Sequence, residues 1–154
     1  MADLAFNIAK GRVVEFYNRV DSNDPANSAL VIVPVDVGGV TDAALRDLDT
    51  LAAVLAAGVT ERSTSGWSRK VLTDADLGAW TPDDTNDRTD LDIPDLVWTP
   101  TAGTVTDLIV CYDGDTTAGT DANIVPLTLH DFPITPDGST VTAEISATGF
   151  FRAT

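Results

Sequence analysis

Cysteine and histidine are almost missing from these 154 residues: Cys111 and His130 stand alone. One cysteine excludes an internal disulfide framework. One histidine leaves no histidine cage for a transition metal and no imidazole relay. Basic residues are scarce too, nine against 24 acids, for a net charge of −15. A surface of that sign repels phosphate, so nucleic acid is excluded as a partner. No run of 18 apolar residues occurs, so no membrane partner is expected. The opening Met1-Ala2-Asp3-Leu4 lacks the basic start and apolar stretch of a secretory leader. Glycine (11) and proline (8) stay at ordinary usage, which argues against a low-complexity chain.

What remains is an ordinary apolar share, 44%, in a chain long enough to bury its own core, and residues 1–154 read as a single domain. The acid is nearly all aspartate, 21 of 24. Aspartate favours caps and turns over helix interiors, so the charge decorates loops between short elements. It is also unevenly spread along the chain. Residues 1–72 carry net −2 and residues 73–154 carry net −13.

Apolar periodicity divides the chain into a helix–strand–helix part, residues 1–62, and a mainly β part, residues 63–154. Val13, Phe16, Tyr17 and Val20 repeat at helical spacing, and Asp3 can cap a helix running from Leu4 to Val20. Ala29–Val33 reads as a buried strand closed by Pro34. Thr41 is the expected N-cap of one helix over 41–57, with Leu45, Leu48, Ala52 and Leu55 inward and Gly58 at its end. Beyond it, Val105–Tyr112 is the best strand and reads as central, Ile124–Phe132 pairs back on it, and Thr135-Pro136-Asp137-Gly138 is a turn. Strands are also expected at 68–72, 89–93, 96–98 and 141–147. The expected class is α+β: two helices from the N-terminal half packed on an antiparallel sandwich or barrel-like sheet.

No catalytic constellation emerges. Asp113-x-Asp115-x-Thr117 opens like a calcium loop, but Ala118 and Ile124 stand where the motif needs Gly and Glu. A hairpin turn accounts for it better. Asp90, Asp92 and Asp95 could join Asp113 and Asp115 around a hard cation only if the fold gathers them, and nothing in their spacing requires that. Paired carboxylates for glycoside hydrolysis need a separation that spacing does not encode. His130 and Asp131, adjacent on a strand, point to opposite faces and form no relay. Neither a Gly-x-Ser-x-Gly elbow nor a phosphate-binding glycine loop occurs. The expected catalytic, metal and cofactor sets are therefore empty. Trp67, Trp80 and Trp98 each lie beside Thr, Ser or Pro at the edge of an element, where they could stack on sugar or anchor a core.

Several segments carry a resemblance that spans nearly the whole chain: Ala9-Lys10-Gly11-Arg12-Val13-Val14-Glu15-Phe16-Tyr17, Arg69-Lys70-Val71-Leu72-Thr73-Asp74, Pro82-Asp83-Asp84-Thr85-Asn86-Asp87-Arg88, Asp92-Ile93-Pro94-Asp95-Leu96-Val97-Trp98, Asn123-Ile124-Val125-Pro126-Leu127 and Gly149-Phe150-Phe151-Arg152-Ala153. In these the chain resembles small virion structural proteins of tailed actinobacteriophages, described variously as capsid decoration, minor capsid or minor tail proteins. The resemblance implies a non-enzymatic virion structural protein, made in the host cytoplasm; one address is the outer surface of the head, with the major capsid protein and its own copies as partners, a trimer among the arrangements open to it. The alternative is a minor tail or fibre component touching host-surface glycans through its tryptophans. The charge favours the first address, because a layer against packaged DNA would add repulsion to a crowded polyanion. On that reading the less acidic first half docks, through Arg12, Arg19, Arg46, Arg62, Arg69 and Lys70, while the acidic remainder faces solvent.

Overall fold

A computed structural model describes residues 2–78 and 80–154. In chain order its elements are β1 (Leu4–Ala5), α1 (Val13–Asp21), β2 (Ala29–Asp36), α2 (Asp42–Arg46), α3 (Leu51–Ala56), β3 (Thr60–Glu61), β4 (Lys70–Leu72), β5 (Thr89–Leu91), β6 (Leu96–Trp98), β7 (Val105–Asp113), β8 (Val125–Ile134), β9 (Val141–Ala143) and β10 (Phe151–Ala153). Single 3₁₀ turns lie at Asn7–Ala9 and Asp74–Asp76. The fold is mixed, with mostly antiparallel β structure and three short α-helices.

The main sheet runs β1-β8-β7-β2-β3, and β4 also pairs with β2. Both ends of that order are open, so the sheet does not close into a barrel. Two further antiparallel ribbons, β5–β10 and β6–β9, stand apart from it. β2 is apolar on every residue from Ala29 to Val35 because both of its faces are covered. Leu30 and Ile32 join α1 and the ribbons in one core, while Val31, Val33 and Val35 join α2 and α3 in the other. β7 divides the same way: Leu108, Val110 and Tyr112 against Ile109 and Cys111. The helices therefore lie on opposite faces of the sheet, a three-layer arrangement where two helices on one sandwich were expected.

The expected helix from Leu4 to Val20 is shorter and starts later. Gly11 takes φ +75°, a left-handed turn that breaks the helical path, and α1 begins at Val13. The Asp3 carboxylate caps nothing; its Oδ1 accepts the Asp131 amide at 2.9 Å and pins β1 beside β8. A nine-residue helix has little stability alone. Burial of Val13, Phe16, Tyr17 and Val20 supplies it, at roughly 1.5–3 kcal/mol for a large apolar side chain.

The expected single helix over 41–57 is two. Thr41 caps α2 as anticipated, its Oγ1 accepting the Ala44 amide, and Thr50 then caps α3 through the Ala53 amide. The break lets the amides of Leu51 and Ala52 donate to the carbonyls of Ile124 and Asp121. A continuous helix would have kept those amides for itself. Leu45 is buried as expected, Leu51 and Val54 join it, and Leu48 and Leu55 are only partly covered.

β2 does not stop at Pro34. Its carbonyl accepts the Arg62 amide at 2.8 Å, so its nitrogen faces the same edge, where pairing passes from β4 to β3. A missing donor there breaks no ladder bond. Among the expected strands, β9 ends at Ala143, and β10 forms on β5 without having been anticipated. The two parts of the chain interleave: β2 lies between β7 on one side and β3 and β4 on the other.

Candidate docking surface

Two segments meet here and share one property: the loop 63–68 before β4, and residues 96–106, which run from β6 into the start of β7, contain no charged side chain. Two tryptophans hold them together. Trp67 Nε1 donates to the Gly103 carbonyl at 2.7 Å, and Trp98 Nε1 donates to the Ser68 carbonyl at 2.9 Å. The rings lie 5.5 Å apart at 54°. Both tryptophans are buried, and such a pair adds about 0.5–1.5 kcal/mol beyond its burial. The Thr101 amide donates to Ser65 at 2.8 Å, and a Cβ on Gly66 would overlap the Thr99 carbonyl oxygen. The backbones touch there because residue 66 has no side chain. The outer surface is made of Ser63, Thr64, Ser65, Thr99, Thr101 and Ala102, with Val97 46% exposed nearby.

Three of the six expected docking cations border this end. Lys70 Nζ sits 5.2 Å from the Trp98 ring centroid. Arg62 donates through Nε to the Thr104 carbonyl at 2.9 Å and pairs with Asp36 at 2.7 Å. Arg69 bridges Glu61 at 2.6 Å and Asp121 at 2.7 Å. Those two carboxylates hold its guanidinium still more firmly in the charged form. The other three lie elsewhere. Arg12 and Arg19 both bind Glu15 on α1, at 3.2 and 2.8 Å, and hold that carboxyl below the usual carboxylate range. Arg46 is exposed at the end of α2, across the sheet from α1, without an ion pair among the described residues. The six therefore do not form one basic face, and most of their charge is answered within the chain.

The tryptophans do not form a sugar platform, since Trp67 and Trp98 are core residues. Trp80 alone lines a cleft, with Tyr17, Asp90 and Asp92, and its buried indole N–H has no partner among the described residues. The aspartates act locally. Asp113 and Asp115 accept amides two residues on, closing consecutive turns after β7. Asp90 binds Arg152 and Arg88, and Asp95 accepts the Ile145 amide. Among the described residues no group of three or more His, Cys, Asp or Glu side chains is placed to hold a metal. The Cys111 thiol is buried within the sheet, and burial pushes its pKa up, away from thiolate reactivity. His130 Nε2 lies 2.8 Å from Thr128 Oγ1, and burial pushes its pKa down.

Asp107 was not singled out in the sequence. It is fully buried in β7, neither carboxylate oxygen has a hydrogen-bond partner among the described residues, and burial raises its pKa. Its only sequence signal is an acid directly before the apolar run Leu108–Cys111. The uncharged end had no distinctive one: its eleven-residue run 96–106 is matched in length by residues 25–35 and 50–60. No described helix is long and apolar enough to cross a membrane. Comparison with known protein families, with curated proteins and with solved structures found no match to this chain.

Proposed function

We propose that this chain is a non-enzymatic capsid decoration protein that binds the outer surface of an assembled phage head and reinforces it. One observation carries the reading: a protein of net charge −15 has an uncharged end built from residues 63–68 and 96–106, bordered by Arg62, Arg69 and Lys70. Charged residues are depleted from the centres of protein interfaces, because each must shed its water there. This end is where a partner docks at low desolvation cost. The two ribbons are read as the second layer of a sandwich; β6 contributes to the uncharged end, and the acidic loop of Asp83, Asp84 and Asp87 that leads into β5 faces solvent.

The partner is the major capsid protein, and contacts between copies pass through neutral surface, since exposed charges are screened only beyond about 8 Å at physiological salt. Repetition over the lattice lets weak single contacts hold a layer in place. The docking role moves from the first half of the chain as a whole to one end of the molecule, because the halves interleave. The glycan-binding alternative loses two of its three tryptophans to the core.

The test is co-sedimentation of purified variants with heads of the encoding phage assembled without this protein. Val97→Asp and Thr101→Asp should detach, and Asp83, Asp84 and Asp87 changed to Asn should bind as the parent does. Detachment of the Asn variant with retention of the other two refutes the docking end.

A further inference from the structure

Between the main sheet and the ribbon layer lies a cavity of about 280 Å³ that opens to solvent. Its floor is apolar: Ile32 from β2, Leu108 and Val110 from β7, and Ala143 from β9. Phe132, Ile145 and Phe150 line it and are each half-buried, so apolar surface is left facing the opening. The exposed rim is acidic. Asp3 and Glu144 stand on it, and Glu144 makes no hydrogen bond or ion pair among the described residues. His130 also lines the cavity; its Nδ1 lies 3.6 Å from Asp3 Oδ2, and its ring meets Phe150 edge-on at 6.2 Å.

We propose that this cavity is a binding site for a small hydrophobic cation, a primary ammonium on an aromatic or short aliphatic body. An apolar floor with a few polar groups at the mouth is the usual composition of a small-molecule site. The sign of the rim selects the head group. Asp3 and Glu144 attract an ammonium and repel a carboxylate, and among the described residues no Lys or Arg lines the cavity. The imidazole of His130, kept neutral by burial, adds no opposing charge at neutral pH. The Phe150 and Phe132 rings can also take the cation against their faces. The cavity meets the uncharged end only at Leu96, a buried residue of β6, and the proposal stands whether or not that end binds a capsid.

Benzylamine, benzyl alcohol and benzoate share one body and differ in charge, so titrating each into the intact protein, read by calorimetry and by shifts of the His130 ring protons, isolates the selection. Benzylamine should bind with a dissociation constant of about 1 mM or tighter. The alcohol should bind roughly fivefold more weakly, the size of one solvent-exposed ion pair, and benzoate not at all. Glu144→Gln should shrink the preference for the amine over the alcohol, with the alcohol's own affinity unchanged. Ala143→Phe, which fills the floor, should abolish binding of both; Ile145→Trp at the mouth tests the same occlusion without touching a buried position. Equal affinity for amine and alcohol in the parent, a preference unmoved by Glu144→Gln, or no saturable signal at about 10 mM overturns the proposal.

Discussion

Gly66 is the position where one added methyl group tells most about the uncharged end. The residue has φ +91°, and a Cβ there would overlap the Thr99 carbonyl oxygen and lie 2.8 Å from Pro100 Cα. Both obstacles are backbone, so neither can swing aside. Gly66→Ala therefore carries two costs. The left-handed conformation costs an L residue about 1–2 kcal/mol. Pushing residues 63–68 away from 99–101 also loses the Thr101-to-Ser65 hydrogen bond, worth about 1 kcal/mol, and loosens the Trp67–Trp98 packing. The sum is roughly 3 kcal/mol, or about 6–12 °C in Tm for a chain of this size. Gly38→Ala is the matched control: φ is +57° and nothing lies within 4 Å of the added methyl. It keeps the conformational cost and lacks the clash, for about 1–2 kcal/mol. Both variants shed the same unfolded-state freedom, so that contribution cancels between them. Thermal melts followed by circular dichroism decide the matter. If Gly66→Ala and Gly38→Ala melt within a degree or two of one another, the close approach of the two loops is wrong.

Asp107→Asn keeps the shape of the buried acid and removes its charge. Burial raises the folded-state pKa above the unfolded one, so the parent loses stability as pH rises from about 4 through the folded value. The variant should gain on the parent in Tm between pH 4 and 7 and match it near pH 3; a constant difference across that range refutes the titration. Leu51→Asp should cost more than about 4 kcal/mol in urea unfolding, and Leu48→Asp clearly less, because only Leu51 is fully buried. Equal costs would restore a continuous helix over 41–57. Arg69→Gln, which leaves Glu61 and Asp121 facing each other, should lower Tm measurably, whereas Glu15→Gln, whose partners are almost half exposed, should leave it unchanged. A larger loss from Glu15→Gln would reverse that ranking.

Several features followed from the order of residues alone, since they rest on local chemistry. The unbroken apolar run of β2 announced a strand covered on both faces. Thr41 had a cap's side chain in a cap's place. Tertiary structure decided the rest, because it depends on partners far along the chain. The helix over 41–57 divides since the carbonyls of Asp121 and Ile124 take the amides of Ala52 and Leu51, an exchange invisible within the segment. β10 exists because β5 offers residues 89–91 a partner for three residues that would not hold an extended shape by themselves. Charge shows the division most clearly. The sequence established how many basic groups the first half holds, but which of them find an acid is a matter of side-chain reach in three dimensions. Arg69 thus bridges Glu61 and Asp121, the latter 52 residues away.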